Sequence, residues 1–267
     1  MEFDFKNKYD SQDLVKIMEL LRSENGCPWD KEQTHSSIRG DFIEETYEAL
    51  EAIDKDDVDM MKEELGDVLL QVVFHSQIEK EKGSFDFGDV CDGICKKLIL
   101  RHPHIFKNEK ANNSSDVLKI WDSVKKKEKN QKTATETLKA VPACFPALMR
   151  AQKVQKRAAK TGFDYGEISY AWSDMESEVK ELSSAIENKD AENIKEELGD
   201  ILFSVCNVAR FLGLDSEEAL TASTEKFISR FEVLEGLANK NNLVLENCSM
   251  EELDVLWRQA KDILTKK

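Results

Sequence analysis

The chain has 267 residues, 40% of them hydrophobic, with four prolines, eleven glycines and a formal net charge of −15. That length holds two domains of roughly 130 residues, and so few helix breakers among abundant Glu, Lys, Leu and Ala favour an all-α protein. A strongly negative surface repels a phosphate backbone and excludes a general nucleic-acid-binding role, although a bound cation can invert the field locally for a small phosphorylated ligand.

In chain order, the opening MEFDFKNKYD does not read as a secretory leader. Leu14, Ile17, Met18 and Leu21 recur at helical spacing and predict a first helix that ends near Asn25-Gly26. Cys27-Pro28-Trp29-Asp30 reads as a loop. Further helices are expected over about Asp41–Ile53, Val58–Glu81 and Gly88–Arg101, the last closed by Pro103. The longest apolar run, Val68–Phe74, is broken by Gln71 and is too short to span a bilayer. Ser115-Asp116 is expected to cap a fifth helix carrying Trp121. The stretch Asn130–Lys139 is polar without an apolar stripe and reads as a linker, which sets the domains at residues 1–135 and 136–267. Helices then follow over about Ala147–Lys160, Tyr170–Ile186, Ala191–Leu212, Glu217–Leu237 and Met250–Leu264. The six cysteines are scattered and contain no Cys-x-x-Cys, consistent with a reduced, soluble, cytoplasmic protein without a thiolate metal site.

The two halves repeat one another. Lys62–Asp67 and Lys195–Asp200 both read KEELGD, 133 positions apart. At the same offset Glu45 and Glu48 match Glu178 and Glu181, and Ala52-Ile53 match Ala185-Ile186. Lys97 through Arg101 match Lys226 through Arg230 at an offset of 129, and Trp121 matches Trp257 at 136. Offsets that change only in loops are the mark of a duplicated helical domain. The fold expected is two tandem repeats of an antiparallel helical bundle.

In each copy a Glu-x-x-Glu pair precedes a Glu-x-x-Asp pair, with fifteen residues between them. Residues three apart share a helix face, so Glu45 with Glu48 and Glu64 with Asp67 form two acidic pairs in one copy. Glu178 with Glu181 and Glu197 with Asp200 form the same pairs in the other. Antiparallel packing of the two helices would bring four carboxylates together. Their repulsion is relieved by a divalent cation, and all-oxygen ligation suits Mg²⁺ first and Mn²⁺ second. Gly66 and Gly199, each beside the aspartate, suggest close helix packing or ligand approach, because glycine inside a helix is otherwise unfavourable.

The pattern Glu-Glu-x-x-Glu followed by Glu-x-x-Asp resembles the signature of the MazG-type, all-α nucleoside triphosphate pyrophosphohydrolases. GCPWDKEQTH, ETYEALEAI, EELGDVLLQVVFHSQ, RHPHIF, PALMRAQKVQKRA and EKFISRF are similar to phrases of that family, and the resemblance runs through nearly the whole chain. The first copy carries the signature complete as Glu44, Glu45, Glu48, Glu64 and Asp67. The second has Ser177 in place of the first glutamate, which touches support of the ligands more than the ligands themselves.

The resemblance implies hydrolysis of several nucleoside triphosphates to nucleoside monophosphate and pyrophosphate, with Mg²⁺ on the four acids of each site. A carboxylate not fully engaged by metal would orient or deprotonate the attacking water. Candidates are Glu178 or Glu181 in the second copy and Glu44, Glu45 or Glu48 in the first. Lys226 and Arg230 would clamp phosphate oxygens, as would Lys97 and Arg101. Lys153, Lys156 and Arg157 form a further basic cluster. Trp257, Trp121 and Trp29 are candidates for stacking on a base, and His75, His102 and His104 read as structural or surface residues. A homodimer built from equivalent domains is expected. Two other readings compete: a narrower dUTP or phosphoribosyl-ATP pyrophosphatase, and a non-catalytic regulatory helical protein.

Overall fold

The computed structural model describes residues 3–107, 110–111, 113–128 and 133–265, and all regular structure among them is helical. The chain divides into two compact units, Met1–Lys129 and Asn130–Lys267.

The N-terminal unit begins with α1 (Ser11–Arg22), whose first turn is closed by a capping box between Asp10 and Asp13. A short helix, α2 (Pro28–Glu32), follows where a loop was expected. Pro28 at its first position has φ preset for a helix and no amide hydrogen to leave unpaired there, and Asp30 complements the helix dipole. Next come α3 (Arg39–Asp54) and α4 (Val58–Glu81), which pack on each other as a hairpin. Their connection turns sharply at Asp56, a left-handed residue with φ of 53°, and Asp57 caps α4 by accepting from the amides of Asp59 and Met60. Then α5 (Phe87–Arg101), α6 (Pro103–Phe106) and α7 (Ser114–Glu128) complete the unit. The cap of α7 is Asn113, which accepts from the Asp116 amide, rather than the expected Ser115-Asp116.

The core of this unit is built by Met18 of α1, Val73, Phe74 and Ile78 of α4, and Ile38 at the entry to α3. Arg22 stitches the two helices together. Its guanidinium donates to both Glu81 carboxylate oxygens at 2.8 Å, and its Cζ sits 5.3 Å from the Phe74 ring centre.

The C-terminal unit starts with α8 (Ala134–Lys139), which falls inside the stretch expected to be a linker. Thr133 and Glu136 form a capping box, and Leu138 turns towards α9 (Ala147–Ala159), so the polar stretch nucleates a turn of helix without an apolar stripe. Residues 130–132 of that stretch lie outside the described residues. Then α10 (Ile168–Asn188) and α11 (Ala191–Leu212) form a second hairpin, turning at Lys189 with φ of 56° and capped by Asp190. α11 stops at Gly213, whose φ of 72° suits a residue without a Cβ, and α12 (Ser216–Lys240) and α13 (Met250–Thr265) pack around Leu234, Ala238, Leu256 and Ala260. The two hairpins, α3–α4 and α10–α11, carry the acidic pairs.

Candidate metal centres

The turn sets the register of each hairpin. Glu48 lies eight residues before Asp56 and Glu64 eight after it, while Glu45 lies eleven before and Asp67 eleven after. In the second hairpin Glu181 and Glu197 are eight residues either side of Lys189, and Glu178 and Asp200 are eleven. In an antiparallel pair, residues equidistant from the turn sit at the same level. Spacing by three then keeps each acid on the facing side. The carboxylates of Glu45, Glu48 and Glu64 accordingly offer oxygens all within 4.8 Å of one another, and so do those of Glu178, Glu197 and Asp200.

The fourth acid of each set is close enough to be felt. Burial, then the charges of Asp67 and Glu48, raise the Glu45 carboxyl above its ordinary range, and burial with Glu48 and Asp67 does the same to Glu64. In the second unit burial with Glu181 and Asp200 raises Glu178, and burial with Glu181 and Asp200 raises Glu197. The same two positions of the repeat are thus strained towards protonation in both units. Glu197 is itself buried, and a side-chain hydrogen bond with Glu178 works against the rise of its carboxyl. Among the described residues none of the eight acids forms an ion pair with a lysine or arginine. Carboxylates gathered without cationic partners are the donor set a hard divalent cation satisfies.

The two clusters differ in their third member. The N-terminal trio uses Glu48, and the C-terminal trio uses Asp200, the counterpart of Asp67. Glu181, the counterpart of Glu48, instead accepts a hydrogen bond from Ser177 Oγ at 3.1 Å. Glu44, at the position equivalent to Ser177, is exposed.

Gly66 and Gly199 do not mediate close packing. A Cβ built at either meets nothing within 4 Å, so the expectation of tight helix contact within the unit is overturned and open space lies beside each aspartate.

The cationic and aromatic candidates fall into two sets. On α12, Lys226 is exposed and Arg230 half-buried, one turn apart. Trp257 packs on Phe227 at 5.2 Å between ring centres and borders the α12–α13 core, which leaves it half-buried. On α5, Lys97 is exposed but Arg101 is only 9% exposed, with its Cζ 6.0 Å from the Trp121 ring centre. The α5 pair is therefore not a copy of the α12 pair: Pro103 ends the helix and Arg101 turns into the unit. Of the basic cluster on α9, Arg157 donates to the Thr137 carbonyl and so fastens α8, while Lys153 and Lys156 remain exposed. Trp29 is exposed.

One constellation has no local signature. His35, in the loop before α3, places Nδ1 2.7 Å from His75 Nδ1 and Nε2 2.6 Å from Glu79 Oε1, with the two rings stacked. Lys82, His35 and Ser84 hold the Glu79 carboxyl down at about 2, while burial and the neighbouring His35 lower His75. Forty residues separate the two histidines, so periodicity could not pair them.

An all-α chain that twice places four acids about one helical hairpin is a tandem carboxylate-cluster protein, and comparison with known proteins specifies it further. A family profile described as the MazG nucleotide pyrophosphohydrolase domain matches residues 33–106 and again 172–234. Over 250 residues the chain is 46% identical to the nucleoside triphosphate pyrophosphohydrolase/pyrophosphatase MazG of Thermotoga maritima, covering 94% of this chain and 95% of that one. It is 43% identical over 251 residues to the nucleoside triphosphate pyrophosphohydrolase of Escherichia coli K12, covering 93% and 95%. It is also 48% identical over 247 residues to the uncharacterized protein YabN of Bacillus subtilis, where it spans 92% of this chain and half of the longer relative. The chain belongs to the MazG nucleotide pyrophosphohydrolase family.

Proposed function

We propose that this chain hydrolyses nucleoside triphosphates to nucleoside monophosphate and pyrophosphate, using Mg²⁺ held by Glu178, Glu181, Glu197 and Asp200 and by Glu45, Glu48, Glu64 and Asp67. The observation that carries the reading is the register of the acids, equidistant from the turn in both hairpins and, among the described residues, without cationic partners. Bound Mg²⁺ would neutralise triphosphate oxygens and polarise the attacking water.

The chain's own groups do the rest. In the C-terminal unit Glu178 or Glu181 orients the water and accepts its proton, and in the N-terminal unit Glu44, Glu45 or Glu48 does so. Lys226 and Arg230 supply positive charge to the departing pyrophosphate, and Trp257 packs on Phe227 of the same helix. Lys97, Arg101 and Trp121 serve the other unit in a different arrangement. Relatives named for nucleoside triphosphates as a class, not for one base, favour several substrates over one.

A homodimer is supported by apolar side chains left exposed at matched positions of the repeat: Ile53 and Ile186, Leu65 and Leu198, Leu69 and Leu202. No helix among the described residues is long and apolar enough to cross a membrane. That, with the cysteine usage, supports a cytoplasmic setting.

The deciding experiment incubates the full chain with a panel of nucleoside triphosphates, with and without Mg²⁺, and resolves products by chromatography. Monophosphate with pyrophosphate, only with metal, is expected. Diphosphate with orthophosphate would sink the reaction assignment, and hydrolysis of a single substrate would favour the narrower enzyme.

A further inference from the structure

In the C-terminal unit a cavity of about 460 Å³ opens between α9, α10 and α11, beside the loop that precedes α10. This volume lies in the range of small-molecule sites. Leu138, Val154, Phe163 and Phe203 give it apolar walls, and Gln155, Tyr165, Asp174 and Asn207 bring polar groups to it. The cavity lies one helical turn from the acidic cluster along both helices of the hairpin. Asp174 lies one helical turn before Glu178 on α10, and Phe203 and Ser204 lie one turn beyond Asp200 on α11, so about 5.4 Å of helix separates each wall from its acid. Tyr165 donates to Asp174 and feels the charge of Glu178.

Two amides in the wall have fixed orientations. Gln155, only 7% exposed, donates through Nε2 to the Phe203 carbonyl at 2.7 Å. A carbonyl can only accept, so the other end of the amide must be the oxygen, and that buried Oε1 has no partner among the described residues. A buried acceptor without a donor carries a desolvation cost that a ligand N–H would relieve. Asn207 Oδ1 accepts from Arg210 Nε at 2.9 Å and Nη2 at 2.7 Å. A guanidinium can only donate, so the Asn207 NH₂ is the end left for another partner. Arg210 is held in turn by Asp164, at 2.5 and 3.1 Å. Among the described residues the N-terminal unit has no such arrangement: Phe74 stands at the repeat position of Asn207 and is a core residue only 4% exposed.

We propose that this cavity seats the nucleoside end of the substrate, base and sugar, while the acidic cluster takes its phosphates. The proposal rests on the reading of the chain as a nucleoside triphosphate pyrophosphohydrolase. Gln155 supplies an acceptor and Asn207 a donor. Every nucleobase presents a donor next to an acceptor on its pairing edge, so one such amide pair tolerates several bases while biasing among them. The apolar walls exclude water from the flat faces of the base.

The test uses the full chain with Mg²⁺ and two variants. Asn207→Phe installs the residue that fills the N-terminal unit, and Gln155→Leu keeps the side-chain shape but removes the acceptor. Calorimetric titration with AMP, GMP, CMP and UMP gives Kd, and kcat/KM is measured for the four triphosphates, with thermal melts to establish folding. Asn207→Phe is expected to weaken monophosphate binding at least tenfold and to lower kcat/KM to match, with pyrophosphate binding unchanged. Gln155→Leu is expected to alter the ratios among the four bases. If Asn207→Phe does not fold, the ratios for Gln155→Leu decide alone. Folded variants whose Kd values and base ratios equal those of the unaltered chain overturn the proposal. A chain that binds monophosphates in a manner sensitive to both variants, yet releases pyrophosphate from no triphosphate, overturns the catalytic reading and leaves the pocket standing.

Discussion

Ser177 Oγ donates a 3.1 Å hydrogen bond to Glu181 Oε1, one helical turn away, and Glu181 is the acid that stands outside the tight trio of its unit. Where the N-terminal unit places a fifth carboxylate, Glu44, the C-terminal unit places a neutral donor that fixes an acid instead of repelling it. If Ser177 positions Glu181, Ser177→Ala should lower kcat/KM modestly. A hydrogen bond to an ionised carboxylate contributes about 1.5 kcal/mol at the low end, or roughly tenfold. Metal affinity should change little. A loss of a hundredfold or more would mean that Ser177 touches the reacting groups, and no loss at all would mean that the bond is incidental.

The empty space beside Gly66 and Gly199 yields a prediction with opposed signs. Both are interior helix positions where alanine has better propensity by about 0.5–1 kcal/mol, and neither Cβ meets any atom of its unit. Gly199→Ala should therefore raise the melting temperature of the metal-free chain. If substrate approaches the backbone beside Asp200, the same variant should raise KM. A variant that is stabilised with unchanged kinetics would show that the glycine serves neither packing nor ligand approach.

The histidine pair makes the N-terminal unit sensitive to pH. Burial and His35 lower His75, so the folded unit binds fewer protons there than the unfolded chain. The stabilisation is fully present above the ordinary histidine range near 6.5 and is lost as pH falls through it towards the depressed folded value. Glu79, held at about 2 by Lys82, His35 and Ser84, has the same sign: its contribution is present above the ordinary carboxylate range and fades as pH drops towards 2. Melting temperature should thus fall between pH 7.5 and 5.5. His75→Val, which installs the residue found at the matching position Val208, should flatten that fall. An identical slope in the variant would remove His75 as its source.

The long helices were legible from the sequence because apolar periodicity is a local signal. Val58–Glu81 and Ala191–Leu212 were bounded to the residue, and the acidic pairs followed from spacing by three along them. The failures were of two kinds. Short helices held by caps rather than by an apolar stripe, Pro28–Glu32 and Ala134–Lys139, read as loop and linker. Contacts distant in sequence left no periodic trace. The burial of Arg101 against Trp121, the pairing of His35 with His75 and the orientation of Gln155 by Phe203 all depend on packing between elements. The acids could be counted from the sequence, but which three of each four converge could not, because that depends on Ser177 and on side-chain orientation at one level of the hairpin.

Metal should be needed for turnover and should also stabilise. Among the described residues the eight acids have no cationic partners and repel one another within each hairpin, and binding to the folded state alone stabilises by mass action, about 2.7 kcal/mol at a hundredfold excess over Kd. Millimolar Mg²⁺ or Mn²⁺ should raise the melting temperature at pH 7.5, and a chelator should abolish both that rise and pyrophosphate release. Full turnover in chelator would overturn the carboxylate-site reading.

The two units should share turnover unequally. The C-terminal unit carries, besides its acidic trio, an uninterrupted α12 bearing exposed Lys226 and half-buried Arg230, Trp257 on α13, and the cavity one turn from Asp200. The N-terminal unit ends its equivalent helix at Arg101, which is buried against Trp121, and fills the position of Asn207 with Phe74. Charge neutralisation of a departing pyrophosphate needs cations that can reach it, and Arg101 is poorly placed to do so. Glu197→Gln and Asp200→Asn should therefore remove most turnover of common nucleoside triphosphates. Losing a metal ligand costs several kcal/mol of transition-state stabilisation, a hundredfold or more. Glu64→Gln and Asp67→Asn should cost only a few-fold with the same substrates. Each variant's metal-induced rise in melting temperature should shrink by a similar amount, because both clusters bind metal whether or not they turn over substrate. Kinetics on all four variants, read beside those melts, separate lost binding from lost chemistry. Inactive Glu64 and Asp67 variants beside active Glu197 and Asp200 variants would reverse the assignment and give the catalytic role to the unit that keeps Glu44.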